Sequence, residues 1–419
     1  MAVLRKHVIA LLVALSTINV VASDFSRGIL LVCEGQYGAD YGSLAFWGED
    51  GSRVYRAFSK QNPGHYLGTT SQSGCCRDGK IYIVSKEPAG GGVITSMEAS
   101  SLKYINALTE LPGRTQAFYL SAVSPEKGYL STSEGLYIID LERMEVTGRV
   151  AATGLSSGMF GQSLVLDGKL FVVSRRNGIV VVEIATDEVI KIIPVSGAMA
   201  VTCSDSGRIF VGTTDSTGEV VEISSADLSA RKIDIEGIDA SMADVWESWT
   251  LQPFVYDDAH GALLIARRYD STVGRYDPER KEYISDFIKL PSATGEFDNS
   301  LYGQGISMNP YDGSVTIIAA EAAGDYFNDC FRVYSADSMT GELIPDKTVE
   351  MPEGYWFPAQ VLYPGAVSSL ASPITEESEP TRPVVSPDGR VVLADAVITD
   401  VMNLPPGIYI FGNRKIAVR

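Results

Sequence analysis

Short runs of β-branched and aromatic residues recur along the chain, separated by turns rich in Asp and Gly. The strongest runs are KIYIV (80–84), KGYLST (127–132), KLFVV (169–173), RIFVG (208–212), ALLIA (262–266) and SVTII (314–318). Asp78-Gly79, Asp167-Gly168 and Asp312-Gly313 stand directly before three of them. Asp-Gly between two β runs predicts a tight hairpin, because both turn residues must adopt positive φ. Each run is of strand length, and helical periodicity is absent, so the pattern predicts an all-β protein built from one repeated unit.

A glutamine marks the start of most units. Gln72, Gln116, Gln162, Gln252, Gln304 and Gln360 follow one another at 44 to 56 residues, with one double interval of 90 where the skipped unit starts near Ala198-Met199-Ala200. Gln360 opens AQVLY (359–363), yet no further strands of that unit follow it. At the other end, GILLVCEG (28–35), SLAFWG (43–48) and RVYRAF (53–58) read as three strands that lack a first one. The two fragments complement each other. Six full units plus this hybrid predict a seven-bladed β-propeller whose last blade is stitched from both ends of the chain, which removes open sheet edges. The expectation places Ala359–Tyr363 innermost in that blade, paired in parallel order.

The flanks differ in character. Residues 1–23 carry Arg5 and Lys6, an apolar run from Val8 to Val21, and Val21-Ala22-Ser23 as a small-residue cleavage site. This predicts a secretory signal peptide and export to the cell surface, periplasm or medium. The run is too short to span a bilayer, and no small residue precedes a Cys there, so neither a membrane span nor a lipid anchor is expected. The propeller is assigned to 24–365. Residues 366–382, rich in Ser, Pro and Glu, read as a mobile linker. Residues 383–419 read as a small separate β module, with strands at 390–393, 407–411 and 415–418 and a Gly412-Asn413 turn.

The formal net charge is −18, which excludes nucleic acid and anionic lipid surfaces as partners. Only three histidines occur, His7, His65 and His260, and the five cysteines form no CxxC pair. No metal site and no cofactor are expected; the cysteines read as buried thiols. No nucleophile elbow, zinc motif, P-loop or dinucleotide fingerprint is present, so no catalytic residue is assigned.

GILLVCEGQYGADYGSLAFW, GTTSQSGCCRDGKIYIVSK, EGLYIIDLERMEVTGRV and YWFPAQVLYP together resemble the YncE-like seven-bladed propellers of Bacteroidetes, over roughly residues 27–364. One branch of that family comprises surface lipoproteins that capture cobalamin and pass it to a TonB-dependent outer-membrane transporter. The resemblance therefore implies capture of a cobalamin-like small organic ligand, without the branch's lipidated Cys. The tail SPDGRVVL…LPPGIYIFGNRKIAVR resembles the C-terminal modules that in some species are signals for type IX secretion.

Candidate ligand residues follow from the repeat. Innermost strands converge on the axis, so the six glutamines are expected around one opening. There they either offer amides to an uncharged ligand or bond neighbouring backbone. Tyr66, Trp246, Trp249, Tyr302 and Trp356 lie in adjoining loops, where aromatic rings make rigid walls. Trp246, Trp249 and Tyr302 are expected to be exposed, Phe160 and Phe357 to be packed between blades. Arg175, Arg268 and Tyr269 add loop groups that could grip a carboxylate or phosphate, or remain solvated. The expected function is a non-enzymatic binding protein. A protein-interaction platform at the outer membrane and a propeller lactonase or lyase remain as alternatives.

Overall fold

The computed structural model describes residues 24–36, 39–113, 115–214, 219–235, 251–266, 270–292, 299–321, 330–352, 354, 357–366, 382–386, 390–396, 404–405, 407–411 and 414–418. The expected signal peptide and nearly all of the expected linker lie outside them.

Seven four-stranded antiparallel sheets form the propeller. Blade 1 runs from Thr69–Arg77 through Lys80–Glu87 and Ile94–Glu98 to Tyr104–Leu108. Blades 2, 3, 4, 5 and 6 repeat that plan, with innermost strands Ala117–Ala122, Phe160–Leu166, Ala198–Cys203, Phe254–Asp257 and Asn299–Met308. Each strong run seen in the sequence is the second strand of its blade. Two of the three Asp-Gly turns are as expected: Asp78 and Gly79 have φ of 47° and 74°, and Asp167 and Gly168 of 48° and 74°; at Asp312-Gly313 only Gly313 takes positive φ, at 73°, which corrects the expectation there.

Blade 7 is the hybrid. Pro358–Leu362 is its innermost strand, followed outward by Gly28–Cys33, Ser43–Gly48 and Arg53–Val54. The pairing is antiparallel, with Leu31 opposite Val361, and so corrects the expected parallel order. The closing strand starts on the same side of the ring as every other innermost strand, and Gly28–Cys33 must run back against it as the second strand does in every blade. The expected strand 53–58 is also shorter. Arg56 takes φ 53° and ends it, and Ala57–Gln61 turns into a short helix that buries Ala57 and Phe58.

The core lies between blade faces rather than at one centre. Val172, Val180 and Phe160 of blade 3 pack against Tyr129 and Leu136 of blade 2. On the two sides of the stitched blade, Leu30, Phe46 and Leu362 meet Ile81 and Ile83 of blade 1, while Leu31, Ala45 and Val361 meet Ile318 and Phe331 of blade 6. The ring is therefore closed by apolar burial on both faces of blade 7. Cys33 and Cys203 are buried, Cys75 and Cys76 half-buried, and all four are unpaired thiols.

Beyond the propeller, Val391–Ala396, Arg382–Val385, Gly407–Phe411 and Arg414–Val418 form a further four-stranded sheet in that order. Arg382–Val385 was not expected as a strand. It supplies Val384, fully buried against Leu393, Leu404 and Tyr409. Among the described residues, no helix is long and apolar enough to cross a membrane.

Candidate functional site

In every blade the innermost strand starts on one side of the ring, where the second-to-third-strand connections also lie. We call this the loop face; the tight hairpin turns lie on the other side. The repeated glutamines fall on the loop face. Their side chains, however, chiefly tie one blade to the next.

Gln72 of blade 1 donates its amide to the Ala117 carbonyl of blade 2 at 3.1 Å, and Gln162 of blade 3 donates to the Val201 carbonyl of blade 4 at 3.1 Å. Gln304 of blade 6 accepts from the Val361 N–H of blade 7 at 3.2 Å, and Gln360 of blade 7 accepts from the Gly74 N–H of blade 1 at 2.6 Å. Small hydroxyls repeat the theme. Ser73 donates to the Phe118 carbonyl at 2.7 Å, Ser121 and Ser163 share a hydrogen bond of 2.8 Å, and Thr202 accepts from the Tyr256 N–H at 3.2 Å. Gln72 and Gln252 are 1 % exposed and Gln360 is 8 % exposed.

For Gln72, Gln162 and Gln304 a bulge explains the geometry, whereas Gln360 stays in register opposite Val32, one residue after the slip in its strand. The pairing with the second strand slips between Ser71 and Ser73, between Phe160 and Ser163, and between Leu301 and Ile306. Gln72, Gln162 and Gln304 occupy those slips. A bulge frees a residue from the ladder and re-aims its side chain, here toward the neighbouring blade. The approach is close: Gly303 has φ 60°, and a Cβ there would meet the Ala359 carbonyl at 2.5 Å.

Gln116 differs. The slip in blade 2 lies between Ala117 and Tyr119, so Gln116 precedes the strand and stands outside the collar. It is half-buried, and its amide donates to the Glu87 carboxylate at 3.3 Å. It forms part of the wall of a cleft of about 800 Å³ between blades 1 and 2, together with Glu87, Ala89, Glu110, Leu111 and Thr115. A second cleft, of about 540 Å³, lies between blades 2 and 3 and contains Arg175. Tyr66 is 46 % exposed and stacks on Tyr41 at 4.5 Å beside a small hollow.

Tyr302 corrects the expectation of exposure. It is 8 % exposed and packs edge-on against Phe331 at 5.3 Å and near Phe357 at 6.0 Å. Its place in the blade 6 bulge turns it between blades, and nothing in its loop context signals that. Phe160 is buried and Phe357 is packed against the same cluster as Tyr302, as expected. Trp246, Trp249, Arg268, Tyr269 and Trp356 lie outside the described residues. His65 stacks on Tyr104 at 4.3 Å, and His260 meets the buried Asp257 carboxylate at 2.7 Å on the hairpin face.

The thiols are poor nucleophiles. Burial raises Cys33, Cys75 and Cys203 to about 12, so each stays protonated at neutral pH, and the thiolate is the reactive form. Among the described residues, no group of three or more His, Cys, Asp or Glu could hold a metal ion.

These features define the class: a seven-bladed propeller, velcroed by its two ends, with clefts on its loop face. The chain belongs to the family described as "Domain of unknown function (DUF5074)", whose model matches residues 27–364. Those limits enclose Gly28 to Leu362, the span from the second strand of blade 7 to its first. No curated protein matches the chain. It is similar in structure to the computationally designed Ika8 protein, with a TM-score of 0.48 and 10 % identity, over 81 % of this chain and 98 % of that one.

Proposed function

We propose that this protein is an exported, non-enzymatic binding protein that captures a small organic ligand on the loop face of the propeller. The observation that carries this reading is the cleft of about 800 Å³ between blades 1 and 2, with Gln116 in its wall. Its volume lies within the range of small-molecule sites, and its lining mixes apolar groups with a few polar ones. Gln116 is a repeated glutamine outside the collar, with amide donors and a carbonyl acceptor to offer. The inert thiols fit binding rather than covalent chemistry.

The resemblance to YncE-like propellers supplies the finer proposal. The ligand is cobalamin-like, and a TonB-dependent outer-membrane transporter receives it. The C-terminal β module acts as a type IX-type sorting signal and the leader as a secretory signal. A thermal-shift screen of the full chain against cobamides, glycans and Ca²⁺ tests the reading, because a ligand that binds only the folded state raises the melting temperature. A cobamide that raises it in the wild type, and less so in Gln116→Ala, supports the proposal. A screen in which only Ca²⁺ raises it, or in which no compound does, overturns it.

A further inference from the structure

The cleft between blades 2 and 3 has a chemistry of its own. Arg175 and Arg176 form the connection after strand Lys169–Ser174, and both are exposed. They line the cleft with Ser133, Glu134, Ser157 and Gly158. The Arg175 N–H donates to the Met159 carbonyl at 3.1 Å, which fixes its backbone, while its guanidinium has no ion pair or hydrogen bond among the described residues. Arg176 donates to the Ser157 carbonyl at 3.2 Å through one nitrogen only. Its stem lies over Gly158, where φ is 145° and a Cβ would meet the Arg176 Cδ at 3.3 Å. A third guanidinium stands close by: Arg149 donates to the Glu134 carbonyl.

Several other guanidinium groups of this acidic chain are paired with carboxylates. Arg208 holds Glu222 and Glu279, each at 2.9 Å, Arg231 holds Glu222 at 2.6 Å, and Arg56 holds Asp40 at 2.8 Å. Around this cleft Arg149, Arg175 and Arg176 have no carboxylate partner among the described residues. In the lining itself, Arg175 and Arg176 face a single carboxylate, that of Glu134, so the opening keeps an excess of positive charge that an anion can offset. The planar guanidinium fork matches the two oxygens of a carboxylate or phosphate. Ser133 already accepts the Gln116 N–H at 3.1 Å, which leaves its hydroxyl hydrogen to donate. The same contact makes this cleft the direct neighbour of the larger one.

We infer that the cleft between blades 2 and 3 is an oxyanion site, in which Arg175 and Arg176 bind the carboxylate or phosphate of the captured small molecule while its body lies toward Gln116. The inference rests on the capture reading above and adds a ligand class to it. The probes are inorganic phosphate and citrate, titrated by calorimetry into the full chain at low and at raised salt. Saturable binding of at least one anion is expected, weaker in salt, and about ten-fold or more weaker in the double variant R175Q/R176Q. The melting temperature should stay unchanged, because both side chains are exposed. Binding of phosphate alone assigns a phosphate ligand, and binding of citrate alone a carboxylate. Failure of both anions to bind the wild type, or binding within two-fold in the double variant, overturns the oxyanion site. An organic ligand from the screen that binds R175Q/R176Q as tightly as wild type overturns the site and leaves the capture reading standing. Anions that bind through the arginines, while no organic compound does, uphold the site and overturn the capture reading.

Discussion

The collar of innermost strands and the open clefts above it use the same residue type for opposite ends. Gln72, Gln162, Gln304 and Gln360 spend a polar atom on the backbone of the next blade. Gln116, at the same sequence interval, sits before its strand and faces a cleft. For Gln72, Gln162 and Gln304, which lie within their bulges, a displacement of about two residues relative to the bulge separates them from Gln116. The repeat in the sequence thus records chiefly how blades are joined, and the deviation from it marks the side chain available to a ligand. Charge shows a parallel contrast. Arg208 and Arg231 on the hairpin face share the Glu222 carboxylate, whereas Arg175 and Arg176 on the loop face have no carboxylate partner among the described residues.

The largest test removes a member of the collar. Deleting 357–364 takes away the innermost strand of blade 7 and exposes both Gly28–Cys33 and blade 1. Loss of a cooperative melt, or aggregation in gel filtration, is the expected outcome, since an uncovered strand edge templates association. A truncated chain that melts cooperatively at the wild-type temperature would remove the closing strand from any role in stability.

A smaller change separates collar from cleft. Gln360→Ala leaves the Gly74 N–H, in the interior of the ring, without its acceptor. The expected loss is about 1–3 kcal/mol in a denaturant melt, the cost of stranding a buried donor. Gln116→Ala should stay within about 0.5 kcal/mol, as an alteration away from the core. Equal losses for the two variants would erase the distinction between them.

The smallest effect is in pH. Burial pushes the Glu222 carboxyl up, but hydrogen bonds from Arg208 and Arg231 outweigh it and hold its pKa below the ordinary value. A depressed folded pKa contributes stability that is present above the unfolded pKa and is lost as pH falls through the folded one. Glu222→Gln should therefore lower the melting temperature slightly at pH 7. The gap to wild type should close as the pH drops below about 4.3, the ordinary glutamate value. A gap that persists unchanged through the acid range would mean that packing, not charge, is what Glu222 contributes.

The sequence by itself determined the all-β class, the unit of about 50 residues, the hairpin turns and the stitched blade. All of these rest on local chemistry: β-branched runs, the positive φ of Asp-Gly, and a count of strands at each end. The outward face of a strand and the strand before a turn need no distant partner to be read. The roles of the glutamines, of Tyr302 and of Arg175 were decided only by tertiary structure. A bulge shifts side-chain direction by one or two positions, and the backbone that the re-aimed side chain reaches belongs to the adjacent blade, about 45 residues away in sequence, as between Gln72 and Ala117. Gln72 and Gln116 are alike in a string of letters. They differ because one falls within its bulge and the other before it, and where the bulge lies shows only in the pairing of the folded strands.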